Sequence, residues 1–240
     1  MPRLDALVTK AGLAPSRERA QALILAGKVK VDGETVRKPD RAVAEGTPIA
    51  VASDQEYASR GALKLGPALD RFRVEVAGRV CADIGASTGG FTDVLLRRGA
   101  ARVYAVDVGR GLLHWRLRQD PRVVVIERVN ARNLEAFPEP VSLVVIDVSF
   151  IGLEKVLPAI TTAAAGAEVV ALFKPQFQVE RGQVGKGGIV RDPDAVESAL
   201  QRFREWCAAN SLRVLGEAPS EVAGADGNRE IFVHIARSAR

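Results

Sequence analysis

Residues 83–92 constrain the fold more tightly than any other stretch of this chain. Asp83, Ile84, Gly85, Ala86, Ser87, Thr88, Gly89, Gly90, Phe91 and Thr92 follow the apolar run Val80, Cys81, Ala82 and lead into an amphipathic segment ending near Arg98. The pattern predicts a strand, a glycine-rich turn and a helix. Glycines let a ligand approach the backbone closely, and a helix N-terminus offers N–H groups without partners. A strand that enters such a turn as an unbroken apolar run belongs inside a parallel sheet covered on both faces.

The rest of the chain agrees. From residue 60 onward, strands are predicted near 80–84, 102–106, 122–126, 141–146, 168–173, 212–217 and 230–236. Helices are predicted near 60–72, 90–98, 110–117, 152–164 and 193–209. Strand–helix alternation specifies an α/β fold with an open, mostly parallel, Rossmann-like sheet. The last two strands follow a long helix and suit an antiparallel edge.

Two cofactors compete for the turn. A dinucleotide loop requires G-x-G-x-x-G, and here Gly85, Ser87 and Gly90 occupy the three places. The missing middle glycine is the one that lets a pyrophosphate come close. An acid at the strand end, Asp83, repels a pyrophosphate but suits a cationic amino group. S-adenosylmethionine is therefore the expected cofactor, held by Asp83, Gly85, Ser87, Gly89, Gly90 and Phe91. Asp107 closes the next strand, where ribose hydroxyls are expected, although it also reads as a helix N-cap. Asn130 is assigned to the adenine edge, with Glu127 as its rival.

Residues 1–52 form a separate small α+β domain in this reading, joined by a polar linker over 53–59 to a second domain at 60–240. Leu4, Leu7 and Val8 share one helical face, Gly12 ends that helix, and Ser16 caps a second carrying Ala20, Leu23 and Ile24. Val29, Lys30 and Val31 alternate into an Asp32-Gly33 turn, and 47–51 is a further strand. Residues 1–50 hold nine Lys or Arg against six Asp or Glu. Arg17, Arg19, Lys28 and Lys30 are expected to share a basic face, which binds phosphate by displacing counterions.

Bulk properties narrow the class. The 240 residues carry a net charge of +5, which favours an anionic partner. Cys81 and Cys207 have no metal-ligand neighbour at useful spacing, so no metal is expected and a reducing, cytoplasmic setting fits. No long uncharged apolar run or signal peptide is visible, which argues against a membrane partner and against a pore. Residues 182–188 imitate a phosphate loop, but Glu180 stands where its first glycine belongs and Gly187 where Ser or Thr would bind magnesium. A basic loop at the active face is expected there instead.

Four polar residues stand at element ends: Lys64, Asp147, Lys174 and Glu230. Asp147 and Lys174 end apolar strands, on the rim where such sheets carry their sites. A simple rim salt bridge is the plainer reading of that pair.

The motifs now carry a resemblance. Ser16, Arg17 and Ala20 followed by Gly27, Val29, Val31, Asp32 and Gly33 resemble the RNA-binding domain first named in ribosomal protein S-four. Residues 83–92, Asp107 with Gly109, Asp147 with Ser149 and Phe150, Lys174 with Pro175 and Phe177, and Asn228 with Glu230 resemble the TlyA family. That family is related to the FtsJ (RrmJ) ribose methyltransferases and also carries the label haemolysin. The resemblance implies methyl transfer from S-adenosylmethionine to a cytidine 2′-hydroxyl of ribosomal RNA, in free form or in a subunit. It places a catalytic tetrad on Lys64, Asp147, Lys174 and Glu230, and large-subunit RNA is the expected substrate. The rival readings are a noncatalytic ribosome-assembly factor, a dinucleotide oxidoreductase and a haemolysin.

Overall fold

A computed structural model describes residues 1–51, 57–224 and 227–237. The chain divides into two compact units, Met1–Glu56 and Tyr57–Arg240.

The first unit pairs α1 (Leu4–Lys10) and α2 (Arg17–Leu25) with a three-stranded antiparallel sheet of β1 (Val29–Val31), β2 (Glu34–Val36) and β3 (Ile49–Val51), in order β2-β1-β3. Leu4, Val8, Ala20, Ile24 and Val29 are fully buried and form its core. Ser16 caps α2 through its hydroxyl, which accepts from the Arg19 amide at 3.2 Å. Asp32 and Gly33 both take positive φ, 51° and 84°, as a two-residue hairpin turn between β1 and β2 requires.

The second unit begins earlier than the sequence suggests. Of the expected linker, 53–56 lie outside the described residues. Tyr57, Ala58 and Ser59 belong to the larger unit. The Ala58 amide donates to Asp93 at 2.7 Å, and the Arg97 guanidinium lies 4.5 Å from the Tyr57 ring centre.

Seven strands follow: β4 (Val80–Ile84), β5 (Arg102–Asp107), β6 (Val123–Glu127), β7 (Leu143–Ile146), β8 (Glu168–Phe173), β9 (Leu212–Pro219) and β10 (Ile231–Arg237). Their order is β6-β5-β4-β7-β8-β10-β9, with β10 antiparallel to both neighbours. Helices cover both faces. Leu65 and Leu69 of α3 (Ala62–Phe72) and Val94 and Leu95 of α4 (Gly90–Arg97) pack into one core. Leu157 and Ile160 of α6 (Leu157–Ala163) and Phe203 of α7 (Pro193–Ala209) pack into the other. The chain runs outward through β5 and β6, then returns to place β7 against the other side of β4. The carboxyl ends of β4 and β7 thus flank the switch point where open sheets hold ligands.

Two expected helices are shorter than predicted. In place of a helix over 110–117 there is only α5 (Trp115–Arg118). Asp107 and Glu127 take the Gly109 and Gly111 amides at 2.7 and 2.8 Å, and such side-chain bonds compete with helix. The segment 152–164 divides into a 3₁₀ turn, Leu153–Lys155, and α6, which restarts with Pro158 in its first turn. Proline lacks the N–H that a continuous helix would need there.

Candidate active site

The turn after β4 is folded by its neighbours. Gly85 has φ of 84°, and a Cβ there would overlap the carbonyl oxygen of Asp147. Glycine is what allows the ends of β4 and β7 to meet. The Gly85 and Ala86 amides donate to the Val106 carbonyl at 2.8 and 3.1 Å, and Ser87 donates to Asp107 at 2.8 Å. A Cβ on Gly90 would overlap the Ser59 hydroxyl, so the start of α4 lies against the segment before α3.

These approaches leave a cavity of about 370 Å³, lined in part by Gly61, Lys64, Asp83, Gly85, Ser87 and Asp147. Asp83 is fully buried. One of its carboxylate oxygens accepts the Thr92 hydroxyl at 2.6 Å; the other, Oδ1, has no hydrogen-bond partner. Burial pushes its pKa up to about 7, with Asp147 and Asp107 adding to the rise and Thr92 opposing it. A buried oxygen without a partner costs stability unless a donor arrives. In this cavity it calls for a cationic or N–H-bearing ligand.

The other expected cofactor residues divide. Gly85, Ser87, Gly90 and Phe91 line the cavity. Asp107 stands behind Ser87, its two oxygens accepting from Ser87 and Gly109. It is not a helix N-cap, because α5 begins only after His114. Gly89, at φ 95°, caps α4; a Cβ there would overlap Leu117 and approach Leu113 to 2.7 Å, so this glycine is required by packing. Asn130 follows β6 and caps a short 3₁₀ turn, Ala131–Asn133, accepting from the Arg132 amide at 3.1 Å. Its rival Glu127 is tied to Gly111 and to Arg118. Thr92, which fixes Asp83, carries no signal in sequence beyond its place one turn into α4.

The four charged residues meet as two ion pairs. Lys64, on α3, lies 2.6 Å from Glu230, which immediately precedes β10. Their side chains are 12% and 3% exposed. Lys174, after β8, lies 2.5 Å from Asp147, after β7, with side chains 11% and 23% exposed. Lys174 also donates to the Ser149 hydroxyl at 3.0 Å, a partner the spacing does not reveal. Lys64 and Asp147 both line the cavity that holds Asp83.

The basic residues of the first unit are arranged differently from the single expected face. Arg17 and Arg19 stand two apart on α2 and so point to different sides. Arg17 donates to Asp5 at 3.1 Å, where Arg3 and Gln21 also donate at 3.0 and 2.7 Å. Asp5 is fully buried, and its hydrogen bond with Arg3 is the main cause holding its carboxyl well below the usual range. Lys30 occupies the exposed face of β1, and Lys28 precedes that strand. Arg37, absent from the sequence-based set, lies with its guanidinium 2.8 Å from where a Cβ on Gly27 would stand.

Among the described residues no group of His, Cys, Asp and Glu is arranged to hold a metal, and no helix is long and apolar enough to cross a membrane. Cys81 and Cys207 are free and buried, and burial pushes both thiols up to about 12.

Comparison with known proteins gives two family matches. Residues 57–237 match the FtsJ-like methyltransferase model, and residues 2–49 match the S4 domain. The 16S/23S rRNA (cytidine-2'-O)-methyltransferase TlyA of Mycobacterium tuberculosis is 50% identical, over 97% of this chain and 89% of its own. The 23S rRNA (cytidine-2'-O)-methyltransferase TlyA of Campylobacter jejuni is 35% identical over 76% of this chain and 72% of its own. A solved structure from Streptococcus thermophilus is 42% identical, with a TM-score of 0.74 over 98% of this chain and 88% of that one.

Proposed function

The chain belongs to the FtsJ-like methyltransferase family, and from that premise we propose that it methylates the 2′-hydroxyl of a cytidine ribose in ribosomal RNA, using S-adenosylmethionine. The observation that carries this reading is that one member of each of two lysine–carboxylate pairs, Lys64 and Asp147, lines the cavity that holds the unpartnered oxygen of Asp83. The S4 domain supplies an RNA-binding unit on the same chain.

The residues present fit the cofactor. Asp83 Oδ1 offers an acceptor for its amino group, and the bare backbone at Gly85 and Gly90 permits close approach. Each oxygen of Asp107 already accepts one amide and retains a lone pair for a ribose hydroxyl. Asn130 is assigned to the adenine edge. When bound, S-adenosylmethionine supplies an electrophilic methyl group on a sulfonium centre.

The chain's own task is the nucleophile. A ribose hydroxyl is weak until it loses its proton. An ammonium has three N–H directions; Lys174 gives one to the Ser149 hydroxyl and lies in ion-pair contact with Asp147, which leaves N–H capacity for the ribose oxygen. As the ammonium, Lys174 holds the developing alkoxide through that N–H; taking up the ribose proton instead would require its neutral amine. Asp147 orients Lys174. Lys64, fixed by Glu230, is a second lysine and lines the cavity itself. Holding hydroxyl and methyl in line supplies much of the remaining acceleration.

We assign large-subunit rRNA as the primary substrate, because 23S rRNA is common to the names of the M. tuberculosis and C. jejuni relatives. Mapping 2′-O-methyl groups in both rRNAs from cells with and without this protein tests the assignment. A cytidine methyl in 23S rRNA that disappears with the protein is expected. Unchanged methylation of both rRNAs refutes the reaction, and a loss confined to 16S rRNA refutes the choice of subunit.

A further inference from the structure

The glycine-rich segment 182–191 has no part in the chemistry above, yet it follows one catalytic residue in sequence and is bonded beside another at its far end. It follows the 3₁₀ turn Pro175–Phe177, directly after Lys174. Near its far end, the Asn228 side chain uses both halves of its amide on it. The oxygen accepts from the Val190 amide at 2.9 Å, and the nitrogen donates to the Gly188 carbonyl at 2.8 Å. Asn228 is 1% exposed and stands two residues before Glu230. Its own carbonyl accepts from Gly224, where a Cβ would come within 2.7 Å of the Glu230 carboxylate. Asn228 therefore holds the segment through its side-chain amide, while its backbone carbonyl holds Gly224, next to the cavity wall of Val222 and Ala223 and against the partner of Lys64.

The segment itself is suited to a polyanion. Residues 181–191 contain three basic residues and no acid. Lys186 and Arg191 are exposed, as is Arg229 beside Asn228. A Cβ on Gly182, Gly187 or Gly188 would meet nothing within 4 Å; Gly187 and Gly188 take positive φ, 77° and 76°, which favours glycine, and at Gly182 neither packing nor a positive φ requires it. Gly182 and Gly187 are exposed and leave bare backbone facing solvent, which permits close approach of a phosphate.

We infer that Asn228 is a positioning residue: it holds the strap 185–191 in register with Glu230, and the strap so held binds the sugar–phosphate backbone beside the target nucleotide. The inference rests on the proposed RNA substrate and deepens it.

Two variants break the same joint from opposite sides. Asn228→Ala removes the side chain. Val190→Pro removes the N–H that Asn228 accepts, and Ile189, at φ −98° and ψ 126°, already has the extended conformation that a following proline demands. The measurements are KM for large-subunit rRNA, kcat, cofactor affinity by calorimetry, and anisotropy binding of an rRNA fragment without cofactor. Each variant is expected to raise KM and weaken fragment binding about tenfold, with kcat and cofactor affinity within about threefold of the parent. The double variant should be no worse than Asn228→Ala alone, because the bond that Val190→Pro removes is one of the two that Asn228→Ala removes. Lys186→Glu should weaken fragment binding and flatten its salt dependence.

Unchanged KM and fragment binding in Val190→Pro overturns the inference. So does a loss confined to kcat in Asn228→Ala, which would assign Asn228 to Glu230 alone. If Asn228→Ala fails to fold, Val190→Pro and Lys186→Glu decide the matter. Parent protein that binds the fragment without methylating any rRNA refutes the reaction, while the binding measurements still judge the strap.

Discussion

The two lysine–carboxylate pairs have the same composition and different surroundings. Lys64–Glu230 is sealed, with Glu230 almost wholly excluded from solvent. Lys174–Asp147 is more open on its acidic side and shares its lysine with a serine hydroxyl. A sealed pair is rigid because either charge left alone would be buried without compensation. An open pair can exchange a partner for substrate at small cost. The proposed mechanism uses that difference: one pair holds the wall, and the other meets the nucleophile.

The sharpest way to break the comparison is to remove the open lysine. Lys174→Ala should lower kcat by about 10³-fold, the scale of a positioned proton-transfer group. Cofactor affinity measured by calorimetry should stay near the parent value. Full activity would dismiss Lys174 from the chemistry.

Removing the sealed carboxylate should instead act on the fold. Glu230→Gln leaves the Lys64 charge buried, at a cost of about 3 kcal/mol in urea unfolding. Asp147→Asn leaves Lys174 equally buried but still donating to the Ser149 hydroxyl, and should cost less, about 1.5 kcal/mol. Equal losses would erase the distinction between the pairs.

Asp107→Ala sharpens the contrast from the cofactor side. It frees the Ser87 and Gly109 amides together and should weaken cofactor binding about tenfold, roughly the worth of one charged hydrogen bond. Single-turnover methylation at saturating cofactor should be nearly unchanged. A large rate loss there would tie the turn to the lysines.

The smallest expected change in cofactor affinity comes with pH. The raised pKa of Asp83, about 7, means that the folded protein keeps a proton that the unfolded chain has already lost. Stability therefore falls as pH rises from the ordinary carboxylate range to about 7, and levels off above it. Cofactor affinity should rise through the same upper region, by a few-fold between about pH 6 and 8, because a cationic amino group favours the ionised form. Asp83→Asn should remove both slopes; a retained slope in titration calorimetry would assign them to another group.

Much of this arrangement is legible in the sequence. The strand Glu168–Phe173 and the helix Pro193–Ala209 match their predicted spans, because a doubly covered strand is an apolar run and an N-capped helix with proline in its first turn is strongly marked. Motif resemblance brings Lys64, Asp147, Lys174 and Glu230 together before any coordinates. What sequence does not carry is how they pair. The partnership of Lys174 with Ser149, the packing role of Gly89 and the capture of Arg17 by Asp5 depend on distances across elements. The shortened α5 has the same cause: Asp107 and Glu127 outbid the helix for backbone amides, and nothing in residues 110–117 announces it.

The antiparallel strand β10 has a consequence in time. Asp147 and Lys174 come from successive parallel strands, and a nascent chain can join them once β8 is made. Lys64 and Glu230 are 166 residues apart, and their bond must wait for the last described strand. Contacts of such span form late, because the intervening loop must close first. A chain still on the ribosome thus has its cofactor turn and one ion pair long before it has the other.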